Sequence, residues 1–143
     1  MLGEGMIGVI GIKLNEGNVK VKEDVPPQGI TIDLKVTKIS AMKEQPGLAN
    51  VKFSYMVSYT PNTAVLKMEG EALITDEPGN VDKIIKSWKK SHKLDEETGA
   101  AILNAINPYV SYNSLLILRV FNLPPHIAPP PIQITKKKKV KPK

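Results

Sequence analysis

The chain has 143 residues, 41% of them apolar, which suits one domain with a single core. It contains no cysteine, and this excludes disulfides, thiolate metal sites and thiol nucleophiles. Its net charge of +6 comes from the C-terminal end, because six of the 20 basic residues fall in the last eight positions and the remaining 14 equal the 14 acidic residues. We therefore predict a single domain over residues 1–135 and a disordered lysine-rich tail over residues 136–143.

The first half of the chain predicts four β-strands. Residues 7–21 are strand-like, with Ile10, Ile12 and Leu14 on one face and a turn or bulge predicted at residues 16–18. Residues 30–37 alternate apolar and polar side chains, as in a half-buried antiparallel strand. The alternation changes phase at residues 38–41, which indicates a bulge or a crossover. Two further strands, residues 48–59 and 64–75, are joined by a short turn at Pro61 and predict a hairpin.

The second half predicts helices. After Pro78, Asn80 is a candidate N-cap for a helix with an apolar stripe that includes Ile84 and Trp88. Asp95 is the candidate N-cap of a second helix. Pro108 either kinks that helix or begins a new one, and the helical pattern continues to about residue 121. Residues 132 and 134 suggest a last edge strand. The order of strands followed by helices predicts an α+β fold with a four-stranded antiparallel sheet and two helices, the second one long.

The sequence offers little for catalysis or for a cofactor. A G-x-G-x-x-G string spans residues 3–8, but a strand follows it, whereas a dinucleotide site needs a strand before it and a helix after it. The two histidines, His92 and His126, have no clustered acids or cysteines beside them, so no metal site is predicted. No serine lies in a nucleophile-elbow pattern. We expect no enzyme activity, cofactor or metal.

The helical segment over residues 108–121 is apolar on nearly every side. A helix of this kind must be buried, and one small domain has little room for it. The pattern therefore favours a subunit interface or an exposed apolar groove. No apolar run is long enough to span a bilayer, and the N-terminal end lacks the basic region of a signal peptide. We expect a cytoplasmic protein without membrane insertion.

Two segments resemble the SecB-like chaperone family. Residues 115–134, LLILRVFNLPPHIAPPPIQI, end in an L-P-P-x-x-x-P-P-I form and follow Asn107, Pro108 and Tyr109 at a helix start. Residues 65–77, VLKMEGEALITDE, are similar to the last strand of that family, in which a small residue interrupts an apolar–acidic alternation. The resemblance covers residues 7–134. It implies a sheet with helices on one side, a dimer or tetramer, and apolar grooves that hold unfolded polypeptides without ATP.

This resemblance implies a holdase, which binds unfolded polypeptide and thereby slows aggregation. The side chains expected to contact polypeptide are Phe53, Tyr55, Met56, Met68, Tyr109, Tyr112 and Phe121. In export chaperones of the family, the SecA motor docks on acidic sheet residues, for which only Glu69 and Glu71 are candidates here.

Two alternatives to the holdase remain open. The chain could be a purely structural oligomer subunit. It could also be a nucleic-acid or ribosome-associated protein that binds phosphates through its tail lysines, which are Lys136, Lys137, Lys138, Lys139, Lys141 and Lys143.

Overall fold

The computed structural model describes residues 7–42 and 44–125. Its elements are β1 (Gly8–Val21), β2 (Gly29–Ala41), β3 (Leu48–Thr60), β4 (Ala64–Thr75), α1 (Pro78–Ser91) and α2 (Glu96–Val120). The four strands form one antiparallel sheet and both helices pack on the same face of it. The predicted α+β class, with four strands followed by two helices, is therefore confirmed.

The strands lie in the order β1-β4-β3-β2, so β1 and β2 are the two edges of the sheet. The predicted hairpin between β3 and β4 is confirmed. The connection from β1 to β2 must cross the end of the sheet, and it passes the tip of that hairpin. There the carbonyl of Thr63 accepts hydrogen bonds from the backbone N–H groups of Lys22 and Glu23. The side-chain hydroxyl of Thr63 donates a hydrogen bond to the carbonyl of Val25.

The core lies between the helices and one face of the sheet. Alternate side chains of a strand point to opposite faces, so the two central strands each contribute one buried row. These rows are Ala49, Val51, Phe53, Tyr55, Val57 and Tyr59 on β3 and Ala64, Leu66, Met68, Ala72 and Ile74 on β4. The opposite rows carry lysine, glutamate, serine and asparagine together with the half-buried Met56, Val65 and Leu73, and no described helix covers this second face.

The bulges explain where the strand prediction differs from the structure. The register of β1 shifts between Val9 and Gly11 and again between Leu14 and Glu16, not at residues 16–18 as predicted. An inserted residue leaves the ladder and breaks the alternation. For this reason Ile10 does not share the inner face with Ile12 but is 58% exposed. In β2 the phase change is a bulge at residue 37, which confirms one of the two predicted possibilities.

The helix boundaries were predicted with partial success. Helix α1 begins at Pro78 rather than after Asn80, because proline is tolerated in the first turn, where its missing N–H has no intrahelical partner. Helix α2 begins after Asp95, whose carboxylate accepts the N–H of Thr98 at 3.3 Å, so the predicted cap is confirmed. Pro108 lies inside α2, which continues without a break to Val120. The predicted strand at residues 132 and 134 lies outside the described residues.

Candidate functional site

Three of the seven side chains predicted to contact polypeptide belong to the core. Phe53 and Tyr55 are each 1% exposed, and Met68 is 0% exposed. They lie on the inner rows of β3 and β4, where the helices cover them, so they are not available to a ligand in this conformation. The prediction rested on side-chain type and approximate position in the chain, whereas the face of the strand decides burial.

The other four predicted side chains have different environments. Met56 lies on the open face of the sheet in a shallow cleft with Lys67 and Glu69. Tyr109 is half-buried and packs against the core. Only Tyr112, 74% exposed, and Phe121, 44% exposed, remain large exposed apolar side chains.

Helix α2 carries an exposed apolar row along its outer side. Its members recur every three or four residues, which places them on one helix face. We call this row the α2 stripe, and it consists of Ala101, Ala105, Pro108, Tyr112, Leu116 and Val120. Leu116 is 64% exposed and Val120 is 76% exposed. The opposite side of the helix is buried through residues such as Val110 and Leu118. The helix is therefore apolar on nearly all sides, as the sequence indicated, but the described residues cover only one side of it.

A cleft of about 350 Å³ lies at the C-terminal end of α2. It is lined by Leu115, Arg119, Leu123 and Pro125. Asn122 has a left-handed backbone with φ of 56°, which turns the chain back after the helix. Leu123 then packs against the core.

Tyr59 fixes the chain where it leaves this cleft. Its hydroxyl donates a hydrogen bond to the carbonyl of Pro124 at 2.6 Å. Burial raises the pKa of the Tyr59 hydroxyl, and the neighbouring Tyr55 raises it further. The hydroxyl therefore stays protonated and remains a donor across the neutral range.

The register of the sheet places Tyr59 beside β2, which is an edge strand among the described residues. Tyr59 pairs with Ile30, which is 41% exposed. Ile32 and Leu34 lie on the same side of the sheet as Ile30 and are half-buried. Helix α2 contacts β2. We use the name β2 groove for the exposed or half-buried apolar side chains of β2 and of the end of α2, and its members are Ile30, Ile32, Leu34, Leu115 and Leu123. The sequence showed the alternation of β2, but only the sheet order shows that β2 is an edge.

On the open face of the sheet, Glu69 lies opposite Glu16 of β1, whereas Glu71 has polar and basic neighbours. Asn15 donates a hydrogen bond to the Glu71 carboxylate at 2.8 Å. This bond is the largest influence and lowers the pKa of the Glu71 carboxyl, while desolvation opposes it. A second bond from Asn50 and the charges of Lys13 and Lys52 lower the pKa further. Glu71 is thus matched by basic neighbours on both adjoining strands.

Replacing Glu71 with glutamine should remove a pH-dependent part of the stability. A carboxyl whose pKa is depressed by folding stabilises the fold above its ordinary pKa, and this contribution is lost as the pH falls through the lower folded value. The stability difference between the wild-type protein and the Glu71→Gln variant should therefore shrink between about pH 6 and about pH 3. Urea denaturation at a series of pH values measures it. A difference that stays constant over this range would contradict the assignment.

The described residues offer no metal site and no membrane span. No group of three or more histidine, cysteine, aspartate or glutamate side chains is suitably placed among them. His92 is the C-cap of α1 and has a left-handed backbone conformation. Its ring lies edge-on to the ring of Trp88, with 5.4 Å between the two ring centroids. No helix within the described part of the chain is long and apolar enough to cross a bilayer. His126 and the tail lysines lie outside the described residues, so a nucleic-acid role of the tail stays a prediction.

Comparison with known proteins gives a match in structure but not in sequence. No family model and no curated protein matches the chain. Among solved structures, it is similar to the SecB-like chaperone of Mycobacterium tuberculosis in complex with a ChAD peptide from the HigA1 antitoxin. The TM-score is 0.60 at 13% sequence identity, over 90% of this chain and 88% of that one. The chain therefore has the SecB-like fold that residues 65–77 and 115–134 indicated.

Proposed function

We propose that this protein is a cytoplasmic, non-catalytic SecB-like chaperone that holds extended, apolar segments of unfolded polypeptides in the β2 groove. The observation that carries the proposal is the combination of an edge strand, unpaired on its outer side among the described residues, and an apolar cleft at the end of the helix that contacts this strand. Ile30 is 41% exposed on that edge, and the cleft of about 350 Å³ opens at the adjoining end of α2. The SecB-like fold supports the same function, since a chaperone with this fold has been solved with a bound peptide.

The β2 groove suits a client of variable sequence. A polypeptide in extended form can add to the free edge of β2 through main-chain hydrogen bonds, which every sequence except proline supplies. Its alternate side chains would then face the groove, where Ile30 and Leu115 offer apolar contact. Charge plays little part, because Arg119 is the only charged side chain that lines the cleft in the described part of the chain.

Holding requires no chemical step. The chaperone binds the unfolded state of a client and withdraws it from aggregation by mass action. Leucine and isoleucine contacts are non-directional, so the affinity follows the apolar area buried rather than a particular motif. This function therefore needs none of the nucleophiles, metals or cofactors that the sequence failed to provide.

An aggregation assay tests the proposed function. An unrelated protein is heated until it scatters light, with and without this protein at equal molarity. We expect strong suppression of scattering, in the absence of ATP, at temperatures at which the chaperone itself remains folded. Bovine serum albumin at the same concentration controls for crowding. Scattering that is equal with this protein and with albumin would reject the holdase function.

We further propose that the α2 stripe joins two copies of the chain into a homo-oligomer. The stripe is uncharged, and its small members Ala101 and Ala105 allow another helix to approach closely. The double replacement Tyr112→Asp and Leu116→Asp should shift the protein to a monomer in sedimentation velocity. Both side chains are more than 60% exposed in the single chain, so the fold should persist. An unchanged sedimentation coefficient would show that this face is not the interface.

A further inference from the structure

We propose that the edge of β2 selects extended client segments in which acidic side chains alternate with apolar ones. The inference rests on the proposed function, because it names the class of polypeptide that the same strand holds. The β2 groove is apolar, but every second side chain of a polypeptide added to β2 would face the opposite side of the sheet. On that side β2 carries two exposed lysines.

Strand β2 has a different chemistry on each face of the sheet. Ile30, Ile32 and Leu34 lie on the inner face, with the groove. The exposed side chains between them lie on the open face and include Asp33 and Lys35. Each residue of an added strand would have one of these side chains as its cross-strand neighbour. A matching client is therefore an amphipathic segment whose chemistry changes at every residue.

The bulge in β2 brings a second lysine onto the open face. The register shifts between Val36 and Lys38, so Thr37 is the inserted residue and Lys38 pairs with Lys52 of β3. In a regular strand, residues 36 and 38 would lie on the same inner face. The inserted residue reverses this, and it is the kind of change by which bulges redirect side chains. Lys35 and Lys38 thus follow one another on the open face, about 7 Å apart along the strand.

The second of these lysines lies in a row of the sheet with excess positive charge. Lys38 is directly opposite Lys52, and like charges in this position repel each other. The row continues through Glu71 of β4 to Lys13 of β1, so it holds three lysines and one glutamate. The Glu71 carboxylate also accepts a hydrogen bond from Asn15. A client carboxylate placed beside Lys38 would offset the repulsion that the fold itself retains.

The neighbouring charges restrict where on β2 an acidic client residue fits. Lys35 shares a cleft of about 200 Å³ on the open face with Lys67 and Glu69, so two basic groups meet one acid there. Asp33 is exposed on the same face, two residues before Lys35, and would repel an acidic neighbour. The favoured client therefore has its acidic residues beside the two lysines and an uncharged or basic residue opposite Asp33.

The other edge strand is less suited to hold such a client. The register of β1 shifts twice, after Val9 and after Leu14, and bulges of this kind turn an edge away from pairing. Strand β2 has a regular register over the eight residues Gly29–Val36. A client strand can follow this run without interruption and end beside the two lysines.

Two peptides that differ only in charge test the selection. Both are as long as the Gly29–Val36 run and have valine at alternate positions. Two neighbouring positions between the valines carry glutamate in one peptide and lysine in the other, and threonine fills the rest. In fluorescence anisotropy with the full-length protein, we expect the glutamate peptide to bind at least about fivefold more tightly, because opposite charges attract across strands and like charges repel. Equal affinities would overturn the selection.

A third peptide controls for the net positive charge of the chain. It has the composition of the glutamate peptide, but its valines form one block, so they cannot all face the groove when the glutamates face the lysines. It should bind at least about threefold more weakly than the alternating peptide, since fewer of the cross-strand contacts form. Equal binding of the two would show that overall charge attracts the peptide and would overturn the proposal.

Reversing the charges on β2 should exchange the preference. The variant Lys35→Glu with Lys38→Glu should bind the lysine peptide more tightly than the glutamate peptide. Both side chains are exposed, so the fold should persist, and urea midpoints verify it. The matched control, Lys20→Glu with Lys22→Glu, makes the same change of net charge at the end of β1 and should keep the wild-type preference. The same exchange in both variants would overturn the assignment to β2.

The aggregation assay separates this inference from the proposed function. If the protein suppresses aggregation while the glutamate and lysine peptides bind equally, the holding function stands and the selection by charge fails. If it neither suppresses aggregation nor binds a peptide, both fail. Binding of the glutamate peptide that weakens toward that of the lysine peptide as salt is added would support the selection, because exposed charges are screened by salt.

Discussion

Replacing Gly70 with alanine is expected to destabilise the protein by about 2–3 kcal/mol, in the upper part of the range for overpacked core sites. Gly70 faces the core from the centre of β4. A Cβ atom there would overlap the backbone carbonyl oxygen of Lys13 and would lie 2.8 Å from Cζ of the Phe53 ring. The carbonyl belongs to a strand and cannot retreat without disturbing the β1–β4 ladder. The bare backbone of Gly70 thus lets the Phe53 ring and the bulged part of β1 both approach β4.

Chemical denaturation of the wild-type protein and the Gly70→Ala variant measures this loss of stability. Gly11→Ala is the matched control, because Gly11 lies in β1 of the same sheet and its added Cβ would meet nothing within 4 Å. Its stability should stay within about 0.5 kcal/mol of wild type, as for other unconstrained surface positions. Equal losses in the two variants would show that the effect is one of backbone flexibility and not of the contact with Lys13 and Phe53.

Charging the β2 groove should reduce the affinity for an unfolded polypeptide at least about tenfold, which corresponds to about 1.4 kcal/mol. The single replacements Ile30→Asp and Leu115→Asp each remove apolar contact and place a charge where a client would have to desolvate it. Both side chains are partly exposed, so the fold should tolerate the changes. Fluorescence titration with a carboxymethylated model protein gives the dissociation constants, and the urea midpoints verify folding.

Ile10→Asp provides the control for non-specific binding to exposed apolar side chains. Ile10 is an apolar side chain on the other edge strand and is 58% exposed, more than Ile30. If the client binds in the β2 groove, the Ile10→Asp variant should bind it with an affinity within about twofold of the wild-type value, which is about 0.4 kcal/mol. If Ile10→Asp weakens binding as much as Ile30→Asp does, binding follows exposed apolar area in general and the groove has no special role.

The fold was predictable from the sequence because apolar residues recur with a clear strand or helix periodicity in most of its elements. The alternation of β3 and β4 marks their buried rows, and Asp95 marks the start of α2 through the cap it provides. In β1 one bulge was missed and the other was predicted slightly too late in the chain. The position of an inserted residue is set by the pairing with β4, which the sequence of β1 does not contain. Helix α1 was predicted to start too late because Pro78 was treated as part of a turn.

The candidate site was much less predictable. Phe53, Tyr55 and Met68 were chosen for their size and polarisability, and they are buried because their strand faces the helices. Ile30 was recognised as part of a half-buried strand, but its exposure depends on β2 lying at the edge of the sheet. Leu115 and Leu123 form a cleft only through the reversal of the chain at Asn122. Each of these properties comes from contacts between distant parts of the sequence.

Hydrogen exchange along β2, with and without a carboxymethylated unfolded protein, tests the central claim most directly. The account predicts that the client slows exchange of the outward β2 amides between residues 30 and 36, which are not bonded to β3, and leaves β1 unchanged. Exchange on β2 that is the same with and without the bound client would contradict the account.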